Sequence, residues 1–281
     1  MIVPEFGWRW LFALGVLPAI LVFFIRRGVP ESPRWLADQG RHDEAYASLR
    51  YAGVTDETIE DARRELAALP PRTPEPETKF SDLFSPAYAK RVVHTWLMWF
   101  CSNFAATIFS VWLPSIYATY YHIDLVKTFS YTMIVAGTAV TGRICSYALI
   151  DFFGRKALIC IGYGVAGCAA LLFTQATTET ALLTTAMMYA FFADAASMAM
   201  TVYTPEVYPL RIRGRGTAIA MGWGRFGGMI SPLVAGVLIS GENLIYVWGL
   251  MAVMQFTAAG LTLILATETS GRNLEAVAKP A

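Results

Sequence analysis

The chain is short of charge: 15% of its 281 residues are Asp, Glu, Lys or Arg, and 56% are hydrophobic. An ordinary soluble domain carries about 25% charged residues, so the composition excludes a water-soluble globule and marks an integral membrane protein in a lipid bilayer. The formal net charge is +1, and no nucleic acid or acidic macromolecular partner is expected. Histidine is scarce too, with only His42, His94 and His122, and neither HExxH nor GxSxG occurs. A membrane-embedded enzyme therefore lacks its usual signatures, and no metal or cofactor is expected. The four cysteines, Cys101, Cys145, Cys160 and Cys168, lie in apolar segments without a CxxC pair. Neither a disulfide framework nor a zinc site is indicated. No charged n-region with a short apolar core and cleavage site opens the chain, so no cleaved leader is expected.

What is present is a series of long apolar runs, near 8 to 25, 92 to 118, 128 to 150, 157 to 175, 181 to 203, 217 to 239 and 244 to 266. Each is near the ~20 residues that cross about 30 Å of hydrocarbon. The runs are continuous rather than alternating, which predicts helices, since lipid requires every backbone group to be satisfied within the segment. Seven spans are expected, one alone and then six together. With the C-terminus on the cytoplasmic side, 18 of the 22 Lys and Arg residues fall on that side, as the positive-inside rule requires. A multi-pass protein of a bacterial inner membrane fits this pattern.

The domain organisation follows: a helix over 1–25, a polar cytoplasmic loop over 26–91, a six-helix body over 92–266 and a cytoplasmic tail over 267–281. Within the loop, Thr55 before Asp56 and Glu57 predicts a helix start, with Ile59, Ala62, Leu66 and Leu69 on one face. Pro70, Pro71, Pro74 and Pro76 then form a linker into the next span.

Charges inside the spans are the candidate functional residues, because an arginine or aspartate at the bilayer centre costs about 2.5–3.5 kcal/mol on insertion scales. Arg225 lies nine residues past Gly216 and Asp194 nine before Tyr203, which places both roughly 14 Å into the bilayer. Arg225 is expected to hold a substrate carboxylate by a bidentate contact. Asp194 is expected to pair with it or to carry the coupling proton. A permanent Arg225–Asp194 pair that only fixes two helices is the structural alternative. Arg143, eight residues before Asp151 and about 12 Å in, either snorkels or makes a second anion contact. His94 follows Lys90 and Arg91 and is expected at the interface. Trp96, Trp99, Phe100 and Asn103 recur at helical spacing, as do Tyr189, Phe192 and Asp194, and Trp223 precedes Arg225. Such stripes are either packing or a wall for an aromatic ligand, with Asn103 and Tyr189 as hydrogen-bonding groups.

Four loop motifs carry a resemblance. PESPRWL at Pro30 to Leu36, DFFGRK ending at Lys156, PEVYPLRIRGRG from Pro205 and TETSGRNLE around Glu268 stand in order along the chain. Together they resemble the major facilitator superfamily, in its sugar-porter and metabolite:proton symporter branches. The resemblance implies an all-α membrane fold: the C-terminal six-helix half of a two-half transporter plus one preceding helix, with helices one to five of that transporter missing. It also implies alternating-access transport of a small-molecule substrate with protons, and a cytoplasmic gate built from Glu31, Arg34, Asp151, Arg155, Lys156, Glu206, Arg211, Arg213 and Glu268. Two departures matter. Tyr147 stands where the loop signature has glycine, and the second span lacks the paired glutamines of sugar porters. Trp99, Phe100 and the Trp112-Leu113-Pro114 run look more like carriers of niacin, hydroxybenzoate and related organic acids. An organic or aromatic acid is thus expected ahead of a sugar or polyol, with a non-transporting fragment as the remaining alternative.

Overall fold

The computed structural model describes residues 13, 16–38, 40–68, 83–208, 210–240 and 244–271; some side chains within these, including those of Arg34 and Arg211, lie outside the description. Among the described residues there is no strand. The chain divides into two compact units, 1–76 and 77–281.

The first unit holds α1 (Leu17–Gly28), α2 (Pro33–Asp38), α3 (His42–Tyr51) and α4 (Asp56–Ala68). The first apolar run is described only in part, as α1. Gly40 and Gly53, with φ of 73° and 84°, follow the ends of α2 and α3 in the left-handed conformation that stops a helix. Leu36, Ala45 and Ile59 are buried, Ser48 Oγ donates to the Glu31 carbonyl over 2.7 Å, and Arg63 reaches Asp43 at 3.1 Å. Of the expected face of α4, Ile59 is described as buried, and the side chains of Ala62, Leu66 and Leu69 lie outside the described residues.

The second unit holds α5 (Pro86–Thr119), α6 (Leu125–Phe153), α7 (Arg155–Phe173), α8 (Glu179–Glu206), α9 (Leu210–Ser240) and α10 (Leu244–Leu265). All six are long and apolar enough to cross a membrane. Their starts follow local chemistry. Pro86 occupies the first turn of α5, where its missing N–H costs nothing. The Asp124 carboxylate caps α6 by accepting from the Val126 N–H, and Thr178 caps α8 by accepting from the Ala181 N–H. Gly154, at φ 83°, makes the reversal between α6 and α7 in a single residue. A Cβ there would stand 2.6 Å from the Glu268 carboxylate.

The helices pack with an internal two-fold relation. α5 packs against α9 and α10, α8 against α6 and α7, and α7 against α10. Exchanging α5 with α8, α6 with α9 and α7 with α10 reproduces this pattern. Glycines set the two corresponding contacts: Gly142 of α6 lies against the Phe191 carbonyl of α8, and Gly227 of α9 against the Phe100 carbonyl of α5. A side chain at either glycine would force the backbones apart. At the ends of this ring, α6 and α9 have 22% of their apolar windows buried, against 39–50% in the other four. These two helices therefore keep open apolar faces, with Met133 and Tyr147 on α6 and Met229 and Leu233 on α9 among the exposed side chains. Tyr147, which replaces the glycine of the loop signature, is 71% exposed.

Candidate functional site

A cavity of about 470 Å³ lies among α5, α6 and α8, with Tyr163 of α7 and Gln255 of α10 in its wall. Its lining mixes apolar side chains with hydroxyls and with the stronger polar groups of Asn103, Arg143, Tyr189, Asp194 and Gln255. This mixture of apolar wall and few polar contacts is what small-molecule sites are built from.

The strongest electrostatic feature is an ion pair between α6 and α8. Arg143 bonds Asp194 Oδ1 through Nε at 2.7 Å and Nη2 at 2.6 Å. Gly142 brings α6 onto the backbone of α8 beside it, so the pair follows from the helix contact. Both bonds fall on one carboxylate oxygen, and Oδ2 takes no bond among the described residues. The Arg143 side chain is 60% exposed, which leaves guanidinium N–H groups for another acceptor. The sequence reading paired Asp194 with Arg225. Residue depth is similar for both arginines, but rotation about the helix axis separates them: Arg225 of α9 is exposed and does not line the cavity. Among the described residues Arg225 has no ion-pair partner.

A second polar feature sits where α8 faces α10. Gln255 Nε2 donates to the Tyr189 hydroxyl at 2.8 Å, and Gln255 Oε1 is buried without a partner. Gln255 was absent from the sequence-based candidates. Its signal was a lone amide in an apolar span, weaker than a full charge but of the same kind.

The remaining candidates divide into two groups. Asn103 lines the cavity and donates to the Trp99 carbonyl at 3.1 Å. Trp99 is buried and gives its indole N–H to Thr204 Oγ1 at 2.9 Å, so it holds α5 to α8. Phe100, Trp96, Trp223 and Phe226 form a ladder of ring contacts 5.3–6.3 Å apart between α5 and α9. Trp223 and Phe226 are exposed at the edge of this ladder, and Arg225, two residues after Trp223, lies on another side of α9. Phe192 contacts Phe191 and does not line the cavity. His94 is fully enclosed, with Nε2 3.3 Å from Thr262 Oγ1. It lies two turns into α5, which begins at Pro86.

At the end of the bundle where α6 meets α7, a dense polar cluster forms around Arg155. Its guanidinium bonds both Glu206 oxygens at 3.2 Å and Asp151 at 2.7 Å. Glu268 accepts from the backbone N–H groups of Arg155, Lys156, Thr269 and Ser270 at 3.0–3.1 Å, so its carboxylate covers the N-terminus of α7. Burial pushes the Glu268 carboxyl up, but these N–H groups outweigh burial and hold it below the ordinary value of 4.5. Thr269 Oγ1 donates to Glu206 at 2.6 Å, and Lys156 Nζ to the Ala266 carbonyl at 2.8 Å. Five of the nine expected gate residues thus meet: Asp151, Arg155, Lys156, Glu206 and Glu268. Arg213 instead donates to the Tyr208 carbonyl. The side chains of Arg34 and Arg211 lie outside the described residues, and Glu31 belongs to the first unit.

Known proteins share these features of fold. The niacin transporter NiaP of Acinetobacter baylyi is 31% identical over 98% of this chain and 62% of its own length. The organic cation/carnitine transporter 7 of Arabidopsis thaliana is 26% identical over 98% of this chain and 63% of its own length. The chain therefore spans about 60% of the length of these relatives. Among solved structures, a double-tryptophan variant of XylE superposes with a TM-score of 0.78 at 22% identity, covering 99% of this chain and 60% of that one. The inward-open xylose transporter XylE from E. coli gives 0.63 at 22% identity, over 98% and 57%. At such identity the likeness speaks for the fold. Residues 2–280 match the profile described as sugar (and other) transporter, and with the loop motifs in order and the six-helix fold beneath them, the chain belongs to that family of the major facilitator superfamily.

Proposed function

We propose that this chain forms the C-terminal half of a proton-coupled carrier that moves a small organic acid, with an aromatic acid preferred, by alternating access. The observation that carries this reading is the Arg143–Asp194 pair in the wall of the cavity. The family match and the niacin carrier among the relatives support it.

The chemistry is an exchange of partners. Arg143 neutralises Asp194 when the cavity holds no anion. A substrate carboxylate that takes the guanidinium by a bidentate contact leaves Asp194 without its cation, and a carboxylate so stranded in a low-dielectric wall accepts a proton. Anion and proton are then bound together and the loaded cavity is neutral, which lowers the cost of crossing the bilayer. Asn103 and Tyr189 orient the substrate by hydrogen bonds. Arg225 offers a second guanidinium on α9, and Phe100, Trp223 and Phe226 a stacking surface between α5 and α9.

The cluster at the α6–α7 end acts as the gate that holds that end closed. Most basic loops lie on that side, which supports a cytoplasmic location. The reading is tested by uptake of radiolabelled nicotinate, benzoate and xylose into cells producing the protein as its gene encodes it, with and without a protonophore. Saturable uptake of the acids that collapses with the proton gradient is expected. Uptake of xylose alone, or of none of the three at normal membrane levels, overturns it.

A further inference from the structure

A substrate acid needs a feature besides its carboxylate to be recognised, and the wall opposite the ion pair supplies one. Tyr189 and Asp194 lie on the same helix, five residues apart, or about 7.5 Å along its axis. The ion pair and the Tyr189–Gln255 pair are therefore offset along α8 by about the length of a six-membered ring with one substituent at each end, in the wall of one cavity. Tyr189 is 2% exposed and Gln255 is fully enclosed, yet their hydrogen bonding is incomplete. The Gln255 amide N–H uses the lone pair of the Tyr189 hydroxyl. Its Oε1 accepts from nothing, and the Tyr189 hydroxyl proton has no acceptor among the described residues.

One acceptor and one donor are thus left unmatched side by side at the cavity wall. Turning the amide over lets the Tyr189 hydroxyl donate to Oε1 and leaves the amide N–H groups without an acceptor, so one amide pole stays unmatched in either orientation. A buried acceptor left bare is costly, and of the six buried side-chain atoms without a partner among the described residues, Gln255 Oε1 is the one on a residue that lines the cavity. A site built around such groups favours a ligand that fills them and rejects the analogue that lacks the matching group.

We infer that Tyr189 and Gln255 form a specificity pocket for a ligand group that both donates and accepts a hydrogen bond, a hydroxyl or a primary amide, at the end of the substrate away from its carboxylate. This inference rests on the proposed anion site and names what that site selects. Gln255 Oε1 accepts the ligand's proton while the Tyr189 hydroxyl donates to the same ligand oxygen. A carboxylate at one end and a hydroxyl at the para position of a ring satisfy both walls of the cavity at once.

The test is equilibrium binding of benzoate, 4-methoxybenzoate and 4-hydroxybenzoate to the purified protein as its gene encodes it. The expected result is about tenfold tighter binding of 4-hydroxybenzoate than of benzoate, a difference of about 1.4 kcal/mol. No gain is expected for 4-methoxybenzoate, which accepts without donating. In Gln255→Met the preference should fall to near unity; if that variant does not fold, the wild-type series decides. Equal binding of benzoate and 4-hydroxybenzoate leaves the anion site standing and overturns the specificity pocket. A preference that survives in Gln255→Met overturns the assignment to Gln255. Binding of none of the three overturns the anion site and this inference with it.

Discussion

The two arginine centres of the six-helix body differ in how completely they are satisfied. Arg155 is mostly buried, as is Glu206, with side-chain exposures of 13% and 15%, and its bonds reach two carboxylates, a serine and a carbonyl. Arg143 is 60% exposed and spends two donors on one oxygen. A saturated guanidinium has little left to offer a ligand and much to lose if disturbed, which suits a latch. An unsaturated one in a cavity wall suits exchange. On the proposed reading the same residue type serves two purposes, set by how many acceptors the fold places around it.

The comparison can be sharpened by substitution. Arg143→Lys keeps the charge but loses the planar fork. Uptake of nicotinate should fall about tenfold to a hundredfold, from about 1.5–3 kcal/mol per charge-assisted bond, at unchanged membrane level by immunoblot. Unchanged uptake removes Arg143 from the site. Gly142→Ala comes next, because its Cβ would press on the Phe191 carbonyl. Separation of α6 from α8 should weaken the ion pair and cost about tenfold in uptake, since small displacements of a site carry large kinetic costs. A full-strength variant would show that the helix contact does not set the site.

At the other centre, Arg155→Ala should bias the protein toward the form open at that end, with modification of cysteines engineered there several times faster. An unchanged rate would deny the latch. The smallest effect concerns Glu268. A carboxylate with a lowered folded-state value contributes fully above its unfolded 4.5 and loses that contribution only as the pH falls through the lowered value. Probe accessibility at the α6–α7 end should therefore stay flat as pH drops to about 5. Glu268→Gln, which weakens the covering of the α7 N-terminus, should raise accessibility modestly at every pH.

The helices were legible because lipid solubility writes continuous apolar runs. α6, α7, α8, α9 and α10 fall on the runs expected from 128, 157, 181, 217 and 244 onward. α5 and α9 start six and seven residues ahead of their apolar runs, and the first turns of α5 are held by the turn that follows α8: Arg91 donates to the Val207 carbonyl and Thr95 bonds the Tyr208 hydroxyl. His94 is enclosed because it faces Tyr203 and Thr262. Position along each helix was legible too, since it follows from residue count. Rotation about each axis was not, and it decides that Asp194 meets Arg143 rather than Arg225. Gln255 escaped because an amide raises no alarm on a charge count, though its burial leaves an acceptor bare. The cluster around Arg155 was legible as a set of loop motifs, whereas the role of Glu268 as a cover for the α7 N-terminus required the geometry of the Gly154 turn.

The central claim is that Arg143 passes from Asp194 to the substrate carboxylate while Asp194 takes a proton. The direct measurement is proton uptake on adding benzoate to the purified protein in weakly buffered solution, compared with Asp194→Asn. The account predicts about one proton bound per benzoate in the wild type and none in the variant, as linkage between two ligands of one pair requires. Benzoate binding with no proton uptake in the wild type, or with the same uptake in both proteins, would contradict it.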